Sequence, residues 1–228
     1  MKEERKTIMT QIFLREIGRI KKRLLESGAL VEDQVKMSKQ ALVNGDIELA
    51  RKVLEIEDRI DQLEVDLQEE CFKVLALHQP VAVDLRFLVA VLKFNNDLER
   101  IADLAANNAK RAIKLIGHGV TTLVYDFEEM ATIAKQMLKL SLDALVDIDA
   151  DATAEVFSLE KSINRLHKQN TKMIQKALTE NSQSAEVLIH QLVISRNLER
   201  IADLATNLAE EVIYVARGEI VRHSEEPL

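Results

Sequence analysis

Asp97 to Ala109 reads D-L-E-R-I-A-D-L-A-A-N-N-A, and Asn197 to Ala209 reads N-L-E-R-I-A-D-L-A-T-N-L-A, identical at ten of thirteen positions. With a chance identity of about one in fifteen per position, such a match marks a tandem duplication. A second register extends it. Ser38, Leu42, Val53, Glu57, Ile60 and Leu63 recur 103 residues later as Ser141, Leu145, Val156, Glu160, Ile163 and Leu166. The change of offset from 103 to 100 places a three-residue length difference between the second and third elements of each half. A chain built this way is expected to fold as two similar units, residues 1–117 and 118–228, divided at Gly117-His118-Gly119.

Each unit reads as three helices, an all-α fold. Six Gly and two Pro in 228 residues leave little material for the turns of a β protein. The first helix is expected from about Thr7 to Val43, with Ile8, Ile12, Ile17, Ile20, Leu24, Val31 and Val35 at three- and four-residue steps; Gly18 and Gly28 are the places where it would break. Asn44-Gly45-Asp46 supplies a stop and a start. The second helix carries Leu49, Val53, Ile56, Ile60, Leu63, Leu67 and Val74 on one seam and ends before Pro80. The third runs from about Asp84 to Ile116. The second half repeats this order: Thr122 to Val146, a turn at Asp147-Ile148-Asp149, a helix to Leu178, a break at Glu180-Asn181-Ser182, and a last helix to Ala216, stopped by Gly218. Residues from His223 on read as a frayed tail. The third and sixth helices carry Ala102, Ala105, Ala106, Ala109, Ala202, Ala205 and Ala209, and small residues let helices approach closely. Short turns between antiparallel neighbours make two tandem three-helix bundles the economical arrangement.

Composition narrows the function. A net charge of −7 argues against a nucleic-acid partner. The first 25 residues are the exception, with eight Lys/Arg against three Glu. They read as the solvated face of a first helix, or as a peripheral contact with an anionic surface. One cysteine, Cys71, excludes an internal disulfide, and no signal-peptide core or membrane-spanning run is present, so a cytoplasmic location is expected. The phosphate-cradling, dinucleotide and zinc-protease motifs are missing, and so is any nucleophile–base constellation. The chain therefore does not read as an enzyme.

What remains is a set of carboxylates. Glu99 and Asp103 stand one helical turn apart, about 6 Å, on one face; Glu199 and Asp203 repeat them, and Glu57 and Asp61 form a third pair of the same spacing. In the fifth helix the equivalent is Glu160 with Asn164, an amide in place of an acid. Side-by-side packing of the second and third helices would bring Glu57, Asp61, Glu99 and Asp103 to one patch, an oxygen-rich seat for a hard cation such as Mg, Mn or Fe. The competing structural reading is a lattice of ion pairs, Arg100 with Asp103 and Arg196 with Glu199. The five histidines are scattered; His167 and His190 are the two able to approach an acidic pair. The E-x-x-H pairing of di-iron bundles is absent.

The duplicated L-E-R-I-A-D segments, together with Gln79-Pro80-Val81-Ala82-Val83-Asp84-Leu85-Arg86 and Ser27-Gly28-Ala29-Leu30-Val31-Glu32, resemble the PhoU family of accessory regulators of bacterial phosphate uptake. The resemblance covers essentially the whole chain. It implies two pseudo-symmetric three-helix bundles, often dimeric, with metal ions (Fe, Zn, Mn or Mg, some as multinuclear clusters) on Glu57, Asp61, Glu99, Asp103, Glu160, Glu199 and Asp203. It further implies a non-catalytic adaptor between a phosphate ABC transporter ATPase and a membrane sensor histidine kinase, acting negatively on phosphate-starvation genes when phosphate is plentiful. Asn164 departs from the acidic pattern. A carboxylate-bridged metal-dependent hydrolase or oxidase and a purely structural helical scaffold are the alternatives.

Overall fold

The computed structural model describes residues 2–120, 123–180 and 183–221, with side chains from residue 10 onward. Six α-helices appear in order: α1 (Lys2–Asn44), α2 (Ile47–His78), α3 (Ala82–Gly117), α4 (Phe127–Asp147), α5 (Ala154–Thr179) and α6 (Ala185–Arg217). A three-residue 3-10 turn, Asp151–Thr153, leads into α5. No strand occurs among the described residues. The first three helices pack on one another, as do the last three, and the two bundles meet through α3 against α6 and α1 against α4.

The punctuation in the sequence does its expected work at most boundaries. Gly45 takes a positive φ of 65°, and the Asp46 side chain then accepts from the Leu49 N–H at 2.9 Å to open α2. Gly218, at φ 75°, closes α6 by donating to the Tyr214 carbonyl. Ile148 performs the same service for α4 without being glycine. The fourth helix departs from expectation by starting at Phe127. The segment before it is drawn onto α6 instead: the Val124 N–H donates to Gln191 Oε1 at 2.9 Å and the Tyr125 hydroxyl to the Gln191 carbonyl at 2.7 Å. Thr122, Asn181, Ser182 and the tail from His223 lie outside the described residues.

Neither glycine breaks α1. Gly18 faces open space, whereas a Cβ at Gly28 would meet Leu142 Cδ1 at 2.7 Å. Gly28 therefore lets α1 and α4 approach closely at this point. The alanines of α3 and α6 are buried, Ala109 against Ala41, Ala50 and Val53 of α1 and α2 and Ala205 beside Ser141 of α4, and α3 also packs against α6. The two helices run antiparallel, and their cross-links order the seam: Arg86 with the Val215 carbonyl, Lys93 with Glu211, Asn108 with Asn197, and Arg111 with His190. One apolar core, including Phe94, Leu98, Ile101, Met137, Ile201 and Leu208, runs through both bundles. Among the described residues no helix is long and apolar enough to cross a membrane.

Candidate metal centre

The acids fall into two groups, one per bundle. In the first, α2 contributes Asp61 and Glu64 and α3 contributes Glu99 and Asp103. Their mutual influence is legible in Glu99, which is half-buried. Burial first, then the negative fields of Asp103, Asp61 and Glu64, push its carboxyl above the ordinary range, against a smaller opposing pull from Arg100. Glu57 lies one turn before Asp61 and is engaged by Lys110, Oε2 to Nζ at 3.6 Å. The packing of α2 against α3 thus gathers the acids that spacing alone only aligned.

The second group is built from α5 and α6. Glu160 is half-buried and raised by burial, then by Asp203 and Glu210. Asp203 is raised by the crowding around it and then by Glu199, while Arg200 and His167 pull the other way. His167 is the repeat equivalent of Glu64, so a cationic or neutral ring stands here where the first bundle has an acid. Its Nδ1 lies 2.9 Å from the Ser195 hydroxyl.

The ion-pair lattice does not account for this arrangement at its central position. Arg100 bonds Asp97 at 3.2 Å rather than reaching Asp103. Lys110 is more than half exposed and holds only Glu57. Among the described residues no ion pair reaches Asp61, Glu64, Glu99 or Asp103.

Each group also has an amide oxygen that nothing satisfies. Asn95, one turn before Glu99 on α3, donates its Nδ2 to the Glu64 carbonyl at 2.7 Å and leaves Oδ1 buried without a partner. Asn164, one turn after Glu160 on α5, likewise leaves Oδ1 buried and unpartnered. Buried acceptors are rarely left alone, so the two orphaned oxygens are an unmet demand for a donor or a cation beside each set of acids. Among the described residues no three His, Cys, Asp or Glu side chains stand close enough to hold one ion as they are. Like charges drive neighbouring carboxylates apart in the absence of a cation. The donor set, carboxylate and amide oxygens, fits hard cations.

Glu64, Glu210 and Asn95 were not singled out from the sequence. Glu64 was within reach, because positions 57, 61 and 64 lie on one helical face. Glu210 and Asn95 were not, since their relation to Glu160 and Glu64 exists only across packed helices. His190 approaches neither of these two sets of acids; it is buried in the α3–α6 seam with its Nδ1 2.9 Å from Arg111 and its Nε2 3.9 Å from the Glu186 carboxylate. Cys71 is fully buried, its thiol pushed up to about 12, chiefly by burial, and behaves as a small hydrophobe.

Comparison with known proteins agrees with the duplicated architecture. A family model described as the PhoU domain matches twice, over residues 24–112 and 127–212. A phosphate-specific transport system accessory protein PhoU homolog from Pseudomonas aeruginosa is 37% identical over 216 residues, 94% of this chain and 89% of the relative. A homolog of the same description from Thermotoga maritima, PhoU homolog 1, is 30% identical over 90% of this chain and 89% of its own length. The crystal structure of PhoU from Pseudomonas aeruginosa superposes with a TM-score of 0.84 at 35% identity, covering 91% of this chain and 100% of that one. The phosphate transport system regulatory protein PhoU from Streptococcus pneumoniae gives 0.80 at 26% identity, covering 92% and 99%. With both halves matched by the family model and the relatives spanning nearly the full length, the chain belongs to the PhoU family.

Proposed function

We propose that this protein is a non-catalytic regulator of phosphate uptake whose two acidic groups bind metal ions. The observation that carries the reading is that acids at repeat-related positions gather in both bundles, and each gathering holds a carboxyl raised by burial and by its acidic neighbours (Glu99 in the first, Glu160 and Asp203 in the second) together with an orphaned amide oxygen. Such an arrangement costs stability without a cation and is relieved by one. Asp61, Glu64, Glu99 and Asp103 would hold metal in the first bundle, with Glu57 one turn away; Glu160, Glu199 and Asp203 would do so in the second, with the Asn164 oxygen as a neutral donor. The metal would neutralise the patch and fix α2 to α3 and α5 to α6, setting the surface that partners meet. The relatives are named as accessory proteins of a phosphate-specific transport system, which favours contact signalling over turnover.

The partners in this reading are the ATPase of a phosphate ABC transporter and a sensor histidine kinase, with the protein acting as a dimer in the cytoplasm to hold starvation genes off when phosphate is abundant. The tip of the first bundle suits protein contact. Leu77, Val81, Val83 and Leu85 are exposed there, and Gln79 and Ala82 hold the turn at positive φ. The test is in two parts. Titration calorimetry with Mn or Zn should show saturable binding that is lost in Asp103→Ala with Asp203→Ala. Affinity purification from cell extract should recover a transporter ATPase, and deletion of the gene should release starvation-gene expression in high phosphate. Absence of metal binding removes the first part; unaltered expression removes the second.

A further inference from the structure

The repeat relates each position of α3 to one 100 residues later in α6, so the two ends of their antiparallel seam are pseudo-equivalent. They are not chemically equivalent. At one end Lys93 donates to both oxygens of the buried Glu211 at 2.9 Å, and Arg86 spends its guanidinium on the Val215 carbonyl. That end is satisfied. The equivalents of Glu211, Ala90, Tyr214, Gly218 and Arg86 at the other end are Arg111, His190, Lys114, His118 and Glu186. Duplication supplied matching positions, and divergence gathered two permanent cations and two imidazoles at one of them.

The hydrogen bonds there fix the tautomer of His190. Arg111 has only donors, so its Nη1, 2.9 Å from His190 Nδ1, makes that nitrogen an acceptor and leaves the proton on Nε2. The residue is 7% exposed, and its Nε2–H has no hydrogen-bond partner. Burial first, then Arg111 and Lys114, lower its pKa, with Glu186 opposing. The Glu186 carboxylate is the nearest acceptor, 3.9 Å from His190 Nε2 and 3.7 Å from His118 Nε2, beyond hydrogen-bond reach of both, and its side chain is 65% exposed. Arg111 is oriented from behind by its Nε–H bond to Asn107 Oδ1 at 2.9 Å. Among the described residues the Lys114 ammonium has no ion-pair partner. The Lys114, Leu115 and Ile116 carbonyls at the end of α3 are taken up by the N–H groups of His118, Gly119 and Val120, and the partial negative charge of that helix end is opposed by the Arg111 and Lys114 cations.

Divergent donors with one loosely held carboxylate among them suit a larger anion better than that carboxylate. Guanidinium, ammonium and two imidazole N–H groups can meet the several oxygens of a tetrahedral oxyanion at once. We propose that Arg111, Lys114, His118 and His190 form a binding site for a phosphate group, with the Glu186 carboxylate as a placeholder that the phosphate displaces. The site is separate from both acidic groups and does not depend on metal.

The experiment uses the full chain treated with chelator, so that metal-bound phosphate cannot contribute, at constant ionic strength. Inorganic phosphate is titrated by calorimetry and by NMR of the histidine rings, with AMP and sulfate in parallel. Saturable one-site binding that moves the His118 and His190 resonances is expected. Lys114→Glu, an exposed substitution that leaves the fold intact, should weaken it at least tenfold, and Lys22→Glu on the far face of α1 should not. Glu186→Gln should tighten binding several-fold, because it removes the competing charge. Binding of inorganic phosphate identifies the free ion as ligand; binding of AMP alone identifies an esterified phosphate at the same site. No saturable binding of either, binding indifferent to Lys114→Glu, or binding weakened by Glu186→Gln would overturn the proposal.

Discussion

Glu99 is the residue on which the acidic patch is most plainly written, because burial and three neighbouring carboxylates all oppose its charge. A carboxyl whose folded pKa is raised stabilises the fold below its unfolded value, and that contribution fades as pH rises through the folded one. Metal-free protein should therefore melt at a higher temperature as pH falls from neutrality toward the carboxylate range, before general acid unfolding sets in. Glu99→Gln should flatten that rise and, at neutral pH without metal, stabilise by a few tenths of a kcal/mol, the scale of a like-charge helical pair. Thermal melts of the two proteins across pH check both statements; a wild-type Tm that falls steadily on mild acidification would contradict them. With metal present the sign should reverse, Glu99→Gln then costing stability. The acids at positions 57, 61, 99, 103, 160, 199 and 203 were readable because helical spacing is local. Glu210 acts on Glu160 from another helix, and Arg111 lies 79 positions from His190, separations that no local pattern encodes.

Among the helices, boundaries were legible wherever a single residue decides them and illegible where tertiary contacts do. Asp46 and Gly218 announce themselves. The start of α4 does not, because Gln191, far along the chain, captures Val124 and Tyr125 and holds them out of the helix. Loss of the Asp46 cap in Asp46→Ala should cost about 1 kcal/mol in a denaturant melt. The two glycines of α1 make a sharper contrast. Gly18→Ala has open space and should stabilise by roughly 0.5–1 kcal/mol through helix propensity. Gly28→Ala gains the same propensity but drives its Cβ into Leu142, which is itself buried, and overpacking of about 1–3 kcal/mol should leave a net loss. Equal gains at both positions would mean that α1 and α4 are not held as closely as the fold shows.

For the molecule as a whole, duplication explains both the likeness of the bundles and the value of their differences. Positions that build the core kept their character in both copies, as Val53 with Val156 and Ile60 with Ile163 illustrate. The acidic groups kept Glu57 with Glu160, Glu99 with Glu199 and Asp103 with Asp203 but differ at Asp61 against Asn164 and Glu64 against His167, and in the α3–α6 seam Glu211 answers to Arg111. If the two acidic groups bind metal as proposed, they should accordingly differ in affinity, the fully acidic first group binding more tightly than the second. If cations clamp α2 to α3 and α5 to α6, saturating metal should also raise the Tm, by the equivalent of about 2.7 kcal/mol at a hundredfold excess over Kd.

The most direct trial of this account is anomalous diffraction from crystals soaked in manganese. It predicts one peak or cluster among Asp61, Glu64, Glu99 and Asp103 and a second among Glu160, Glu199 and Asp203, each vanishing when its own Asp103 or Asp203 becomes Ala. Crystals of the intact protein that show no manganese at either group, or manganese that persists in both variants, would contradict it.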